Sequence, residues 1–194
     1  MSTRLALVLL LALAGPGGAA VQNPVVIFET TLGSIEIEVD AVRAPKTAAN
    51  FLRYVDAGLY DSGRFHRTVR PDTETRPDVP IQVIQAGINL ARRREGFPPI
   101  AMESTQVTGI LHKDGVLSMA RSGPNTAASE FFICIGDQPL LDFGGARNAD
   151  GQGFAAFGRV RAGMDVARKI QAAPVVRGTQ NLEPPVGIVR ARRK

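Results

Sequence analysis

The sequence predicts a mainly β protein, a closed sheet structure accompanied by two helices. Three observations carry that expectation. Short runs of alternating or wholly apolar residues recur along the chain, bounded by turn formers. Only two stretches place apolar residues at helical spacing. The 194 residues, 44% of them hydrophobic and 21% charged, suit one domain with a real core and show no shift that marks a second.

Val25 to Thr31 and Ser34 to Val39 flank Leu32-Gly33. The second run alternates Ile35, Ile37 and Val39 against Glu36, Glu38 and Asp40, which predicts a hairpin with one wet face. Pro45 to Asp56 predicts a helix, with proline early, Gly58 just past the end, and Ala48, Phe51, Leu52 and Val55 on one core-facing stripe. Leu59 to Arg70 leads into a strand carrying Phe65-His66-Arg67. Arg70 to Pro80 holds three prolines and predicts an exposed loop. Ile81 to Ala86 resumes as a strand, and Asn89 to Pro99 is a basic, irregular link.

Val116 to Ala120 and Phe131 to Ile135 are two short apolar strands, joined by a turn-rich segment containing Gly123, Pro124, Asn125 and Thr126. Gly144 to Gly153 is a polar loop, Phe154 to Val160 a strand, Met164 to Ala172 a short amphipathic helix, and Val186 to Arg192 a closing strand.

Residues 1–20 stand apart. Arg4, the apolar run Leu5 to Ala14 and the small residues Gly15 to Ala20 have the three-part layout of a secretory signal cleaved near Ala19 or Ala20. Ten apolar residues fall short of the roughly 20 that a spanning helix needs. The expectation is an exported protein, in the periplasm or the extracellular space, with residues 21–194 as its domain and no membrane attachment after cleavage. Cys134 is the one cysteine. It lies inside an apolar run, which predicts a buried residue and not a nucleophile. The net charge of +5 is concentrated in Arg92 to Arg94 and Arg190 to Lys194. Lacking interleaved aromatics or a nucleic-acid motif, these clusters predict a solvated face and a solvated tail, with no nucleic acid as partner.

Metal or nucleophilic chemistry finds little support. His66 and His112 are the only histidines, no metal-ligand spacing joins them to carboxylates, and no nucleophile-elbow motif accompanies the serines. His66 is expected to be a hydrogen-bonded structural residue. What the chain does offer is an arginine beside a histidine and an aromatic in Phe65-His66-Arg67, then a glutamine after the apolar run Val83-Ile84, which with the apolar strands describe a groove with one cation in it.

Six blocks, in order, carry a resemblance. Phe65-His66-Arg67, Ile84-Gln85-Ala86-Gly87, Leu117 to Arg121, Gly123 to Thr126, Ser129 to Ile133 and Phe154 to Gly158 resemble the signature blocks of the cyclophilins, the peptidyl-prolyl cis-trans isomerases, and above all their exported bacterial members. The likeness spans roughly Val25 to Arg192. It implies an eight-stranded antiparallel barrel with a helix over each open end, and a substrate groove on the outside.

The resemblance also implies roles. Arg67 matches the catalytic arginine, and Gln85 the glutamine that holds the substrate backbone and helps place it. Phe132 matches the floor of the proline pocket, with Val83 and Leu141 as apolar lining, and Phe65 is counted among the substrate-binding residues of the groove. Ala120 and Arg121 match the segment that pairs with the substrate chain. Glu130 replaces a groove glutamine, Leu140 the aromatic that binds cyclosporin, and Phe154 a common histidine. Gln82 stands where a pocket phenylalanine is usual. The implied partners are proline-containing polypeptides, with no cofactor and no metal, acted on by a monomer. A proline-recognising binding module or holdase with little turnover is the alternative, favoured by Gln82 and Leu140.

Overall fold

The computed structural model describes residues 22–194, so the expected export signal at residues 1–20 lies outside the described residues. Eight strands form one sheet: β1 (Val25–Thr30), β2 (Gly33–Val39), β3 (Arg64–Val69), β4 (Val83–Gly87), β5 (Val116–Met119), β6 (Phe131–Cys134), β7 (Ala155–Ala162) and β8 (Asn181–Arg193). They close in the order β1-β2-β7-β5-β6-β4-β3-β8, with every neighbouring pair antiparallel. Closure leaves no free sheet edge, which is how many short strands avoid exposing unpaired backbone.

The β1–β2 hairpin turns where Gly33 adopts a φ of 130°. The Thr30 hydroxyl donates to the Gly33 carbonyl at 2.6 Å and accepts the Leu32 amide at 3.1 Å. A Cβ at position 33 would lie 2.8 Å from Val166, so glycine also lets the second long helix approach.

Helices α1 (Pro45–Asp56) and α3 (Met164–Ala172) have the expected bounds; a single turn, α2 (Thr105–Thr108), lies between them. The N-terminus of α1 lacks a local side-chain cap. Glu103, 8% exposed, fills that role from far along the chain, accepting the Lys46 and Thr47 amides at 3.2 and 2.7 Å. A carboxylate there satisfies orphan donors and opposes the positive end of the helix. Phe51 of α1 projects into the barrel core among Phe28, Tyr60, Phe131 and Phe157. Cys134 is fully buried, and burial pushes its thiol well up.

Two surface segments depart from expectation. The basic end of the chain is the last stretch of β8, with Lys194 just beyond it, and not a free tail: Arg192 pairs with Glu29, Arg193 with Asp56 and Lys194 with Glu36. Inserting β8 between β1 and β3 places these cations opposite carboxylates of neighbouring elements. The Arg70 to Pro80 loop, expected to be simply exposed, is anchored at its centre. Glu74 pairs with Arg147 at 3.0 Å, and only 4% and 8% of the two side chains is exposed. Burial disfavours the Glu74 charge, but the Ile81 and Arg76 amides and the Arg147 guanidinium outweigh it and hold the carboxyl below its ordinary range. Arg76 donates to the Arg147 carbonyl and Arg147 to that of Val79, so this loop and the one before β7 lock together.

Glu74→Ala would strand the Arg147 guanidinium in a buried place. We expect it to destabilise the fold by about 3 kcal/mol, read as a lower midpoint in urea unfolding with an unchanged slope.

Candidate active site

The site begins with a slip in β3. Its pairing with both β4 and β8 shifts register between Phe65 and Arg67. Regular alternation would put those residues on one face. The bulge separates them: Phe65, 1% exposed, enters the barrel core with its ring centroid 6.1 Å from that of Phe131, whereas Arg67 emerges on the outer face opposite Gln85. Re-aiming a side chain is the usual consequence of a bulge. Phe65 is therefore a core residue, contrary to its expected place in the groove.

Three of the guanidinium's N–H groups are engaged. Arg67 Nη1 donates to Gln85 Oε1 at 2.9 Å, and Nε and Nη2 donate to Gln180 Oε1 at 2.9 and 2.6 Å. One N–H remains on each Nη. Burial pushes the Arg67 pKa down from its ordinary value, and the nearby Arg147 charge adds to this, yet a guanidinium stays cationic at any working pH.

Beside Arg67 is a cavity of about 300 Å³. Phe132, Val83, Leu141, Phe154 and Ile81 supply its apolar walls, and Arg147 and Asn148 also line it; no carboxylate among the described residues does. Phe132 meets Phe154 edge-on at 5.3 Å and stacks over His112 at 6.0 Å and 16°. His112 is fully engaged, its Nδ1 2.7 Å from Asp142 Oδ1 and its Nε2 2.9 Å from Ser118 Oγ. This Ser-His-Asp line was not readable from spacing. Ser118 is 0% and His112 1% exposed, so the hydroxyl and the imidazole are sealed beneath Phe132 and brace the floor without reaching a substrate, while 16% of the Asp142 side chain remains exposed.

A second cavity, about 440 Å³, shares Gln85, Ala120 and Arg121 with the first, which makes the two one continuous groove. The Ala120 amide donates to the Glu130 carbonyl at 2.9 Å. Glu130 Oε2 accepts from Gln85 Nε2 at 3.2 Å and lies 3.4 Å from His66 Nε2. Its carboxylate sits over Gly87, where a Cβ would come within 1.9 Å of Oε1. His66 meets Glu130 from outside the groove and lines neither cavity, with a third of its side chain exposed.

The Arg121 side chain lines both cavities and is held there from the side of the loop before β7. It donates to the Gly153 carbonyl, forms a two-pronged pair with Asp150 at 2.7 and 2.8 Å, and lies 5.2 Å over the Phe154 ring. These bonds fold the loop before β7 against the pocket wall. Hydrogen bonding to Arg121 is the largest cause holding the Asp150 pKa down at about 2, against an ordinary 3.8. A depressed carboxylate stabilises the form in which it is charged, so the contribution is complete above pH 3.8 and is lost as pH falls toward 2. We expect the Phe154 wall to loosen over that interval, and Asp150→Asn to abolish this component of the acid transition, followed by NMR of the Phe154 ring.

The structure therefore gathers Arg67, Gln85, Val83, Ala120, Arg121, Phe132, Leu141 and Phe154 around one cavity, with Glu130 beside it. Leu140 is half-buried outside the lining, because the helical turn Pro139–Leu141 directs its neighbour Leu141 inward. Gln82 also faces elsewhere, its Oε1 accepting from Gln171 of α3 at 3.3 Å, and Ile81 supplies the wall instead. Gln180, Ile81 and Arg147 were missed by sequence reasoning. Nothing local marks them, since each reaches the site only through the tertiary fold.

Residues 25–193 match the family described as cyclophilin type peptidyl-prolyl cis-trans isomerase/CLD. Among curated proteins, the peptidyl-prolyl cis-trans isomerase of Acinetobacter baylyi is 36% identical over 156 residues, 80% of this chain and 76% of that one. Peptidyl-prolyl cis-trans isomerase A of Dickeya dadantii is 33% identical over 180 residues, 91% and 84% of the two chains. The crystal structure of a Cryptosporidium parvum cyclophilin type peptidyl-prolyl cis-trans isomerase superposes with a TM-score of 0.70 at 21% identity, covering 89% of this chain and 98% of that one. A second structure of that protein, in the presence of the dipeptide Ala-Pro, gives 0.69. With a closed eight-stranded barrel, the six ordered blocks and a family match along nearly all of its described length, the chain belongs to the cyclophilin-type peptidyl-prolyl cis-trans isomerases.

Proposed function

We propose that this isomerase rotates X-Pro bonds of exported polypeptides through a hydrogen bond from Arg67 to the prolyl nitrogen. The observation that carries the reading is Arg67 itself: a cation with no carboxylate partner among the described residues, held with one spare N–H on each Nη beside an apolar cavity.

Peptide-bond rotation faces a barrier of ~18–20 kcal/mol because the nitrogen lone pair is conjugated with the carbonyl. As the bond twists, the nitrogen pyramidalises and its lone pair becomes an acceptor that the planar amide does not offer. A guanidinium N–H donating to it interacts more strongly with the twisted state than with either planar one, which lowers the barrier. The cavity formed by Phe132, Val83, Leu141 and Phe154 would hold the prolyl ring, and the second cavity would take adjoining residues. The Ala-Pro dipeptide used with the Cryptosporidium protein supports this substrate class. Gln82 and Leu140, the two positions that favoured a non-catalytic binding module, face away from the cavity, which removes the support for that alternative.

The export assignment rests on the layout of residues 1–20. Two experiments test the whole. Purified residues 21–194 should accelerate the cis-to-trans step of a proline tetrapeptide and the proline-limited refolding phase of a second protein. N-terminal sequencing of the protein recovered from its host should begin near Val21; a retained Met1 would contradict export.

A further inference from the structure

Gln180 was absent from the expected site, yet it makes two of the three hydrogen bonds that hold the Arg67 guanidinium. We infer that Gln180 is a positioning residue for Arg67, kept in one orientation by the Arg70 to Pro80 loop. This rests on Arg67 being the donor to the prolyl nitrogen.

The argument turns on polarity. A glutamine amide has one accepting end and one donating end, and which faces a neighbour depends on what lies behind. Behind Gln180 is the carbonyl of Thr73, which can only accept, and Gln180 Nε2 donates to it at 3.0 Å. The oxygen is left facing the guanidinium. Gln85 repeats the arrangement on the other side: its Nε2 faces the Glu130 carboxylate, and its Oε1 faces Arg67 Nη1. Two amide oxygens thus grip one guanidinium, each oriented by an acceptor-only group behind it. The spare N–H groups are then fixed in direction, which is what a donor to a transient lone pair requires.

The frame around Gln180 is rigid. Its own carbonyl accepts the Thr68 amide at 2.9 Å, tying it to the residue after Arg67. Thr73 is 9% exposed, its hydroxyl accepts the Arg70 amide at 3.0 Å, and the adjacent Glu74 is in the buried pair with Arg147. Arg70 Nη1 extends from the loop to the carbonyls of Gln171 and Ala173 at the end of α3. The loop therefore serves as a brace for the arginine.

Gln180→Met keeps the side-chain length and removes both polar ends. The expected result on a proline tetrapeptide is a fall in kcat of about tenfold or more, with KM within about twofold, because the loss is one of transition-state placement. Combined with Arg67→Ala, the same change should add nothing. In the unaltered protein, the Arg67 Nε–H signal should exchange slowly with water by nitrogen-15 NMR. Gln180→Met should speed that exchange. Undiminished kcat, an independent loss on top of Arg67→Ala, or fast Nε–H exchange in the unaltered protein would each overturn the assignment. The last readout needs no variant to fold. Full activity in Arg67→Ala alone would instead overturn the mechanism on which the inference stands.

Discussion

Arg67→Ala should lower kcat/KM for tetrapeptide isomerisation by roughly ten- to a hundredfold or more, while the purified variant keeps its barrel. One charge-assisted hydrogen bond made only in the twisted state is worth on the order of 1.5–3 kcal/mol, which sets the lower range. The site adds to it by preorganisation, since Arg67 is held from two sides before substrate arrives. Arg67→Lys should recover little: a lysine ammonium has no planar fork with which to engage Gln85 and Gln180 together. The measurement is the cis-to-trans rate at several enzyme concentrations, with circular dichroism as the control for folding. If Arg67→Ala isomerised the peptide as fast as the unaltered protein, the apolar cavity alone would account for catalysis.

Phe51→Ala should give the largest loss of stability. The Phe51 ring centroid lies 5.0 to 6.0 Å from those of Phe157, Phe131, Tyr60 and Phe28, and all five side chains are fully buried. Truncating a buried phenylalanine leaves a cavity and costs about 3–5 kcal/mol, and aromatic pairs contribute beyond the buried area. For a domain of this size that corresponds to a drop in thermal midpoint of about 10 °C or more. Phe51→Leu fills much of the space and should lose less than half as much. A midpoint for Phe51→Ala within a degree or two of the unaltered protein would mean that the barrel interior collapses around the missing ring.

Much of the fold was legible. Helix α1 begins at a proline suited to a first turn and presents one apolar stripe, so local pattern and tertiary burial agree on Pro45–Asp56. Alternation in β2 and the apolar runs of β5 and β6 likewise announce strands, because side-chain period and burial are tied within a single element. Arg67, Gln85 and Phe132 were legible for a different reason: they stand inside ordered blocks whose likeness covers nearly the whole chain.

What failed to show was whatever depends on register or on distant partners. The alternation rule places Phe65 and Arg67 on one face, and only the bulge parts them. One extra residue in a ladder reverses the facing of everything beyond it, and the slip is visible only once the neighbouring strands are paired. The same holds for Gln82 and Ile81, whose facing depends on how the chain enters β4.

By itself, then, the sequence determined the strands, the two long helices and the buried cysteine, which follow from patterns within a few residues, where propensity and hydrophobic period act. It pointed to Arg67 only through the resemblance of the block in which that residue stands. The tertiary structure alone decided which way Arg67 points, that Gln180 grips it from 113 positions away, that Glu103 caps α1 and that Glu74 and Arg147 close the loop beside the pocket. Hydrogen bonds and ion pairs of that kind have no local signature, since their partners become neighbours only when the barrel closes.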